Sequence, residues 1–590
     1  MEQSIQKNYS SQKSKHMNIK YNPLLIALLS FSFVVAQERT KDTIDSQTVN
    51  VIKPYTPTIS DAFKIKDIPS LDDENTIKKK EVKYNIFSIP VASTFTPAKG
   101  KAADVDKAKP LLLYDNYASL GFGTYTTMLG ELYLNHAINS TENVGGYFSH
   151  HSSQGGIEDV ILDDAFSKTS LNANYSQKLN DFSWKIDLGA SLQASNWYGL
   201  PQDFFDATDA QMIDPQIKYN SFYVGGKLKF DDSFMDDGSV RFRRFGDDRD
   251  SGENRFVAKT RFSIPVVDEE IATELRVDYI SGNFNRNFFN EQEINYGNVI
   301  VGAAAFYELK EDDLTVELGA NFVYAKDTEF DDNRFFIYPN IEASYRVVSD
   351  ILIGYAGIKG DLIQNSYYDF VQTNPFVSPT LLVTPTDQRY RAFLGLKGRL
   401  SNNVSYNIKG NYWAEQAKPL FKANPVQTFA EEDYQYGNSY NVVYDDVKTY
   451  SIAGELNIDV NRNFTLGIKG EYFGYSTEDQ EEAWNLPDVK GSLFLDYQIS
   501  EKWFAGGSLF FIGERKDQIV VDGTLGPVEP ETVVLDSYFD ANAHLGYRLT
   551  DQLSFFAKAN NIANQDYQRW LNFPVQGIQF LAGATYQFDF

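Results

Sequence analysis

From about residue 115 onward the chain alternates apolar and polar positions, the period-two signature of strands with two different faces. The last such stretch puts Ile578, Phe580, Ala582, Ala584, Tyr586, Phe588 and Phe590 on one face and Gln579, Thr585, Gln587 and Asp589 on the other. The two before it repeat the pattern: Leu553, Phe555, Ala557 and Ala559 against Ser554, Lys558 and Asn560, and Phe539, Ala541, Ala543, Leu545 and Tyr547 against Asp540, Asn542, His544 and Arg548. About 22 stretches of this kind can be marked, from 117–125 and 128–137 through 403–416 and 447–460 to 552–563 and 576–590. They are longer than the strands of ordinary soluble sheets, and their polar faces carry full charges, such as Lys409 and Glu415 or Lys469 and Glu471.

The connections fall into two classes. One is very short and polar, as in Leu179-Asn-Asp-Phe182, Leu400-Ser-Asn-Asn-Val404 and Leu549-Thr-Asp-Gln-Leu553, where turn formers separate two apolar residues. The other is long, acidic and aromatic: 197–215, 364–387, 417–446 and 515–534. Walking back from the C-terminus, the two classes take turns. That parity, with long half-apolar strands, predicts an all-β fold: a large antiparallel transmembrane β-barrel of about 22 strands, with short periplasmic turns and long external loops. An even strand number returns both ends of the barrel to the periplasmic side.

Composition narrows the class further. Fifteen per cent of residues are aromatic while mean hydropathy is only -0.38, as expected when strands are apolar on one face alone. The run Pro23–Ala36, preceded by Lys20 and ending Val34-x-Ala36, reads as a signal peptide over 1–36, with Met17 an alternative start. No later apolar run is long enough for a membrane helix. There is no cysteine, which removes thiol catalysis, disulfides and lipoprotein acylation. A net charge of -26 is a poor surface for a phosphate backbone, so no nucleic-acid partner is expected.

At the C-terminus the alternation becomes a more specific pattern. Ala557-Lys-Ala-Asn-Asn-Ile-Ala-Asn-Gln-Asp-Tyr567, a loop through Trp570 and Pro574, and then Gly577–Phe590 resemble the end of the TonB-dependent receptors. The resemblance covers 115–590 and implies an outer-membrane location among lipid and lipopolysaccharide. It also implies that the terminal strand, with Phe580, Tyr586, Phe588 and Phe590, is the signal read by the outer-membrane assembly machinery. One feature departs from the family: where its members carry a plug domain of well over a hundred residues, only about 78 separate Gln37 from Asp115. Pro54, Pro57, Pro69, Pro90, Pro97 and Pro110 punctuate them, so 37–114 reads as an extended periplasmic arm. Thr48, Val49, Asn50, Val51 and Ile52 are similar to the short box through which such receptors contact TonB by strand addition. A barrel of this girth needs something in its lumen, and the arm together with inward-tucked loops such as 417–446 is the expected filling.

Candidate chemistry is sparse. His150 and His151 are expected in an external loop, without a third metal ligand at any fixed spacing. Acidic clusters such as Asp247-Asp-Arg-Asp250 lack the alternate-residue spacing of a calcium loop. Gly121-x-Gly123 falls within a strand, so it makes no nucleotide site. No cofactor site and no catalytic constellation emerges, and the chain is not read as an enzyme. The expected function is uptake or passage of a nutrient ligand, met by aromatic loop residues such as Tyr412, Trp413 and Trp570. The competing expectation is a barrel without transport that serves as scaffold in an envelope assembly.

Overall fold

The computed structural model describes residues 114–590, except 232, 267–268, 428–429, 524–525 and 528–529. The signal peptide, nearly all of the arm and the Thr48–Ile52 box lie outside the described residues.

Twenty-two antiparallel strands form one closed sheet, from β1 (Asn116–Gly123) to β22 (Gln579–Phe588). Each strand pairs with its neighbours in sequence, and β22 pairs with β1 from Asn116↔Phe588 to Gly123↔Leu581. Closure leaves no free sheet edge, the condition for placing backbone amides in hydrocarbon. The seam is also fastened by side chains: Ser119 Oγ lies 3.0 Å from Thr585 Oγ1, and Asn116 Nδ2 donates to the Phe588 carbonyl at 3.1 Å.

Alternation sorts the two faces as the sequence indicates. On β5 (Phe182–Asn196), Ile186, Leu188 and Leu192 stand exposed on the outer wall, while Lys185, Asp187, Ser191 and Gln193 take the opposite face. On β22, Phe580 and Tyr586 are exposed on the outer face, whereas Leu581 turns inward and packs against Leu129 and Phe556. A belt of such residues in contact with water would be an aggregation surface; in lipid it is the solvent-matched face. The barrel is therefore an outer-membrane barrel.

Boundaries differ where local backbone overrides alternation. β1 ends at Gly123, short of 125, because Tyr125 and Thr126 take φ of 57° and 53° in the turn that follows. β21 (Leu553–Asn560) stops before Asn561, which has φ 46°. The expected loop 417–446 is about half strand: β15 (Val404–Ala423) and β16 (Tyr440–Asn461) continue as one hairpin beyond neighbouring strand ends, with a shift in register between Glu415 and Lys418. Tyr412 and Trp413 accordingly sit in β15, not in a loop. Tyr412 is exposed on the outer wall, and Trp413 faces the lumen with the Arg391 guanidinium 5.1 Å from its ring centroid. His150 and His151 likewise belong to β3 (Glu142–Ser153), where His150 bonds Thr169 and Ser152. Their polar neighbours in the sequence suggested a loop, yet Ser and Thr there pair across the strands.

Candidate functional site

Parts of the long loops fold over the barrel mouth and pack on one another there, while stretches such as 202–204 and 289–293 stay exposed. Loop backbone taken out of water must find partners, and here it finds them on other loops. The segment after β13 (Leu352–Ile363) carries a short helix, α1 (Tyr367–Thr373), started by Ser366, whose Oγ accepts from the Asp369 amide at 3.1 Å. α1 lies against the inner faces of β7 (Met235–Asp247), β8 (Gly252–Val266) and β9 (Glu269–Phe284). There the Tyr367 amide donates to Glu253 at 2.6 Å and its hydroxyl to Asp247 at 2.8 Å. Arg243 lies 3.8 Å from the centroid of the Tyr368 ring, and Arg255 bridges Asp278 and Asp369. Glu253 is almost wholly buried, and Tyr296 also donates to it at 2.9 Å, so the carboxylate is held by two donors beside Arg243. A charge so placed is tolerable only with such partners.

A second node sits across the mouth. Asp517, on the loop hairpin between β19 (Trp503–Ile512) and β20 (Tyr538–Arg548), is fully buried. It accepts from the Ala423 amide at 3.0 Å, its neighbour Gln518 at 2.8 Å, the Tyr440 hydroxyl at 2.8 Å and Asn485 Nδ2 at 2.7 Å. Burial pushes its carboxyl above the ordinary range even though each of these donors pulls it down. One side chain thus ties together the hairpin β15–β16, the loop holding Asn485 and its own. Arg515 extends the node to the last loop, donating to the carbonyls of Gln568 and Arg569.

Around these nodes the loops share one apolar core. Trp197, Tyr219, Phe245, Phe284, Tyr367, Phe370, Tyr434, Tyr440, Trp570 and Phe573 belong to it, and Phe376 stacks on Phe573 with centroids 4.0 Å apart. Trp570, expected as a ligand-facing loop aromatic, is buried in this core. Tyr198 donates to the Pro574 carbonyl at 2.8 Å and Asn438 to the Trp197 carbonyl at 3.0 Å, joining loops from opposite ends of the sequence. The inward-tucked loops expected in the lumen are therefore present as a cap. We expect Trp197→Ala to cost the cap about 3–5 kcal/mol, read as faster amide hydrogen exchange over 197–215 with unchanged exchange in the transmembrane strands.

Some cap groups are incompletely satisfied. Glu253 Oε1, Arg243 Nε, Trp197 Nε1 and Trp570 Nε1 are buried without a hydrogen-bond partner. Such groups cost about 1–3 kcal/mol each and mark where the closed cap is weakest. Asp517, Tyr440, Glu253 and Arg243 were not singled out in the sequence, because a buried Asp in an acidic loop looks like any solvated one. The available signal was the crowding of Tyr, Trp and Phe at the ends of the loops. Among the described residues, no group of three or more His, Cys, Asp and Glu side chains is placed to hold a metal ion.

Comparisons with known proteins reach the fold through structure alone: no protein-family model and no curated protein matches the chain. Among solved structures, the ferric-catecholate import receptor Fiu of E. coli K12 superposes with a TM-score of 0.59, 11% identity, and coverage of 82% of this chain and 83% of that one. FpvA of P. aeruginosa, bound to heterologous pyoverdines, gives 0.60 and 13%, with 82% and 72% covered. The siderophore receptor PirA of Acinetobacter baumannii gives 0.59 and 11%, with 81% of each chain covered. The fold is that of the TonB-dependent receptor barrel. The strand count and closure agree with the sequence reading.

Proposed function

We propose that this protein is a gated uptake barrel of the outer membrane, which receives a nutrient ligand at its loop cap and passes it through the lumen. The observation that carries the reading is the combination of a capped mouth with a charged, solvent-exposed inner wall, on which Lys185, Lys227 and Lys259 stand exposed. A wall of that kind belongs to a hydrated conduit, not to a packed core. The ligand class is taken from the neighbours: Fiu, FpvA and PirA are named as receptors for iron-binding siderophores or their ferric forms, so ferric chelates are the first substrates to try. The box Thr48, Val49, Asn50, Val51 and Ile52 is the proposed TonB contact, supplying the energy to open the cap. Lipopolysaccharide around the outer rim and the assembly machinery reading Phe580, Tyr586, Phe588 and Phe590 complete the partners.

The test is growth under iron limitation with single ferric chelates as iron source. Deletion of 47–52 should abolish growth on at least one chelate that the intact protein supports, with the barrel still present in the membrane. Equal growth on every chelate and on other nutrients would remove the case for energised uptake.

One observation favours the scaffold reading: the cap is knit by an apolar core as well as by polar nodes, which makes spontaneous opening costly. A barrel that stays electrically silent under all conditions and purifies with stoichiometric envelope partners would select that reading.

A further inference from the structure

Beneath the cap, the inner wall carries two cations that no described carboxylate neutralises. Arg391, near the outer end of β14 (Thr386–Ser401), stands opposite Lys359 on one side and Trp413 on the other. Like charges directly opposite on adjacent strands are destabilising. Glu342 offsets Lys359 at 2.7 Å, whereas Arg391 has neither an ion pair nor a hydrogen bond among the described residues, and its guanidinium rests against the Trp413 ring. Lys409, on the same face of β15 as Trp413, is likewise unpaired among them, its Nζ 4.3 Å from the centroid of Phe393. Between Trp413 and Lys409 lies Asn411, opposite Phe393 on β14 and Ser451 on β16. Its amide is fixed in direction. Nδ2 donates to Ser451 Oγ at 3.0 Å and Ser451 donates in turn to Glu471 at 2.8 Å, which leaves Oδ1 as the free acceptor. Asn411 is only 8% exposed, and Thr449, opposite Trp413, only 3%. Asn411 Oδ1, Thr449 Oγ1 and Arg391 Nε are all buried without a hydrogen-bond partner. Water satisfies such atoms singly, but it does not balance the two charges.

We propose that this patch binds a hydroxylated carboxylate beneath the cap. Each part of the ligand answers a group on the wall. Arg391 Nε and the adjacent Nη form the planar fork that a carboxylate fills with two hydrogen bonds, and Lys409 supplies a second positive charge. Asn411 Oδ1 can only accept, so the ligand brings a donor beside its carboxylate, which a hydroxyl does. Thr449 gives or takes one further bond. A neutral sugar lacks the charge, and a simple carboxylate lacks the donor. The same chemistry is offered by a free hydroxy acid and by a ferric chelate that keeps a carboxylate and a hydroxyl uncoordinated. This inference deepens the uptake reading and rests on it for the solute's route, but not for the binding itself.

Equilibrium dialysis of the full-length protein in detergent tests binding apart from transport. Gluconate should bind about tenfold tighter than acetate, glucose or inorganic phosphate, the difference expected of one or two buried hydrogen bonds beside a charge pair. Arg391→Gln should weaken gluconate by about tenfold or more. Asn411→Ala should bring gluconate down to the level of acetate, a loss of selectivity that general damage to the barrel does not produce. Arg261→Gln, on the inner face of β8, should leave binding as it is. Each variant is first checked for heat-modifiable migration, and Lys409→Gln replaces Arg391→Gln if that barrel is lost. Gluconate bound no tighter than acetate or phosphate, or bound equally by R391Q and the parent, overturns the inference. Tighter binding of the ferric chelate of gluconate assigns the site to the chelate, and tighter binding of gluconate alone assigns it to the free acid. Selective gluconate binding combined with full growth of the 47–52 deletion on every nutrient would end the uptake reading and leave the site standing.

Discussion

Asp517→Ala is expected to open the cap. In planar bilayers the intact protein should be closed, and the variant should show discrete conductance steps. Cells carrying it should admit a large hydrophilic antibiotic that the intact outer membrane excludes. The argument is one of counting donors. Asp517 satisfies the Tyr440 hydroxyl, Asn485 Nδ2 and the Ala423 amide, all of them buried. Removal strands the Ala423 amide and one of the two Asn485 Nδ2 hydrogens, the other staying on the Phe421 carbonyl, and leaves the Tyr440 hydroxyl only a 3.4 Å contact with the Leu571 carbonyl. At about 1–3 kcal/mol for each stranded donor, the closed cap loses roughly 2–5 kcal/mol. A two-state lid needs about 5.5 kcal/mol to go from almost always closed to almost always open, so the loss is of the right size to populate the open state. Asp517→Asn should open the cap far less, since the amide oxygen still accepts and burial already favours the uncharged carboxyl. The same sign governs acid. Because the folded value lies above the unfolded one, the folded cap takes up a proton first, and its stability on account of this group rises as pH falls through that window. Opening at low pH in the intact protein would contradict this account, as would silence in D517A with a normal heat-modifiable barrel.

The wall and the cap were not equally legible. A strand crossing a bilayer meets hydrocarbon on one face and water on the other at every step, so the contrast is written at each residue. Ile186, Leu188 and Leu192 against Lys185, Asp187 and Ser191 carry it without ambiguity. Loop parity added an independent check, and together they located every wall strand to within a few residues, apart from the long β15–β16 hairpin. Its two strands are legible at 403–416 and 447–460, but their extension over 417–423 and 440–446 is not, because above the membrane both faces meet protein or water and the alternation that marks a strand fades. The cap was less legible for a related reason. Tyr440, Asp517, Asn485 and Arg515 come from distant stretches, and each is an ordinary polar or aromatic loop residue until the fold brings them together. Aromatic loops were visible, but whether Trp570 faces a ligand or a core depends on what packs against it, and that is Phe421 and Tyr440.

Gly583→Val is expected to prevent barrel closure altogether, a larger effect than any change in the cap. Gly583 pairs with Gly121 across the seam between β22 and β1 and with Phe556 on the other side. A Cβ there would collide with the Leu120 carbonyl oxygen and the Phe556 ring, and would sit 2.8 Å from the Gly121 Cα. Two of the three obstacles are backbone, and backbone in a closed ladder cannot move aside without breaking the hydrogen bonds that close it. Adding the rest of a Val side chain makes the collision worse. Because the first and last strands meet here, the failure falls on the step that converts an open sheet into a barrel. An open edge in lipid leaves amides unpaired at several kcal/mol each. The variant should therefore show no heat-modifiable band and be degraded in the periplasm. The control is Gly470→Ala, on β17 (Phe464–Ser476), where an added Cβ has nothing within 4 Å. It should assemble like the parent, so equal assembly of G583V and G470A would mean that the seam is not built as described.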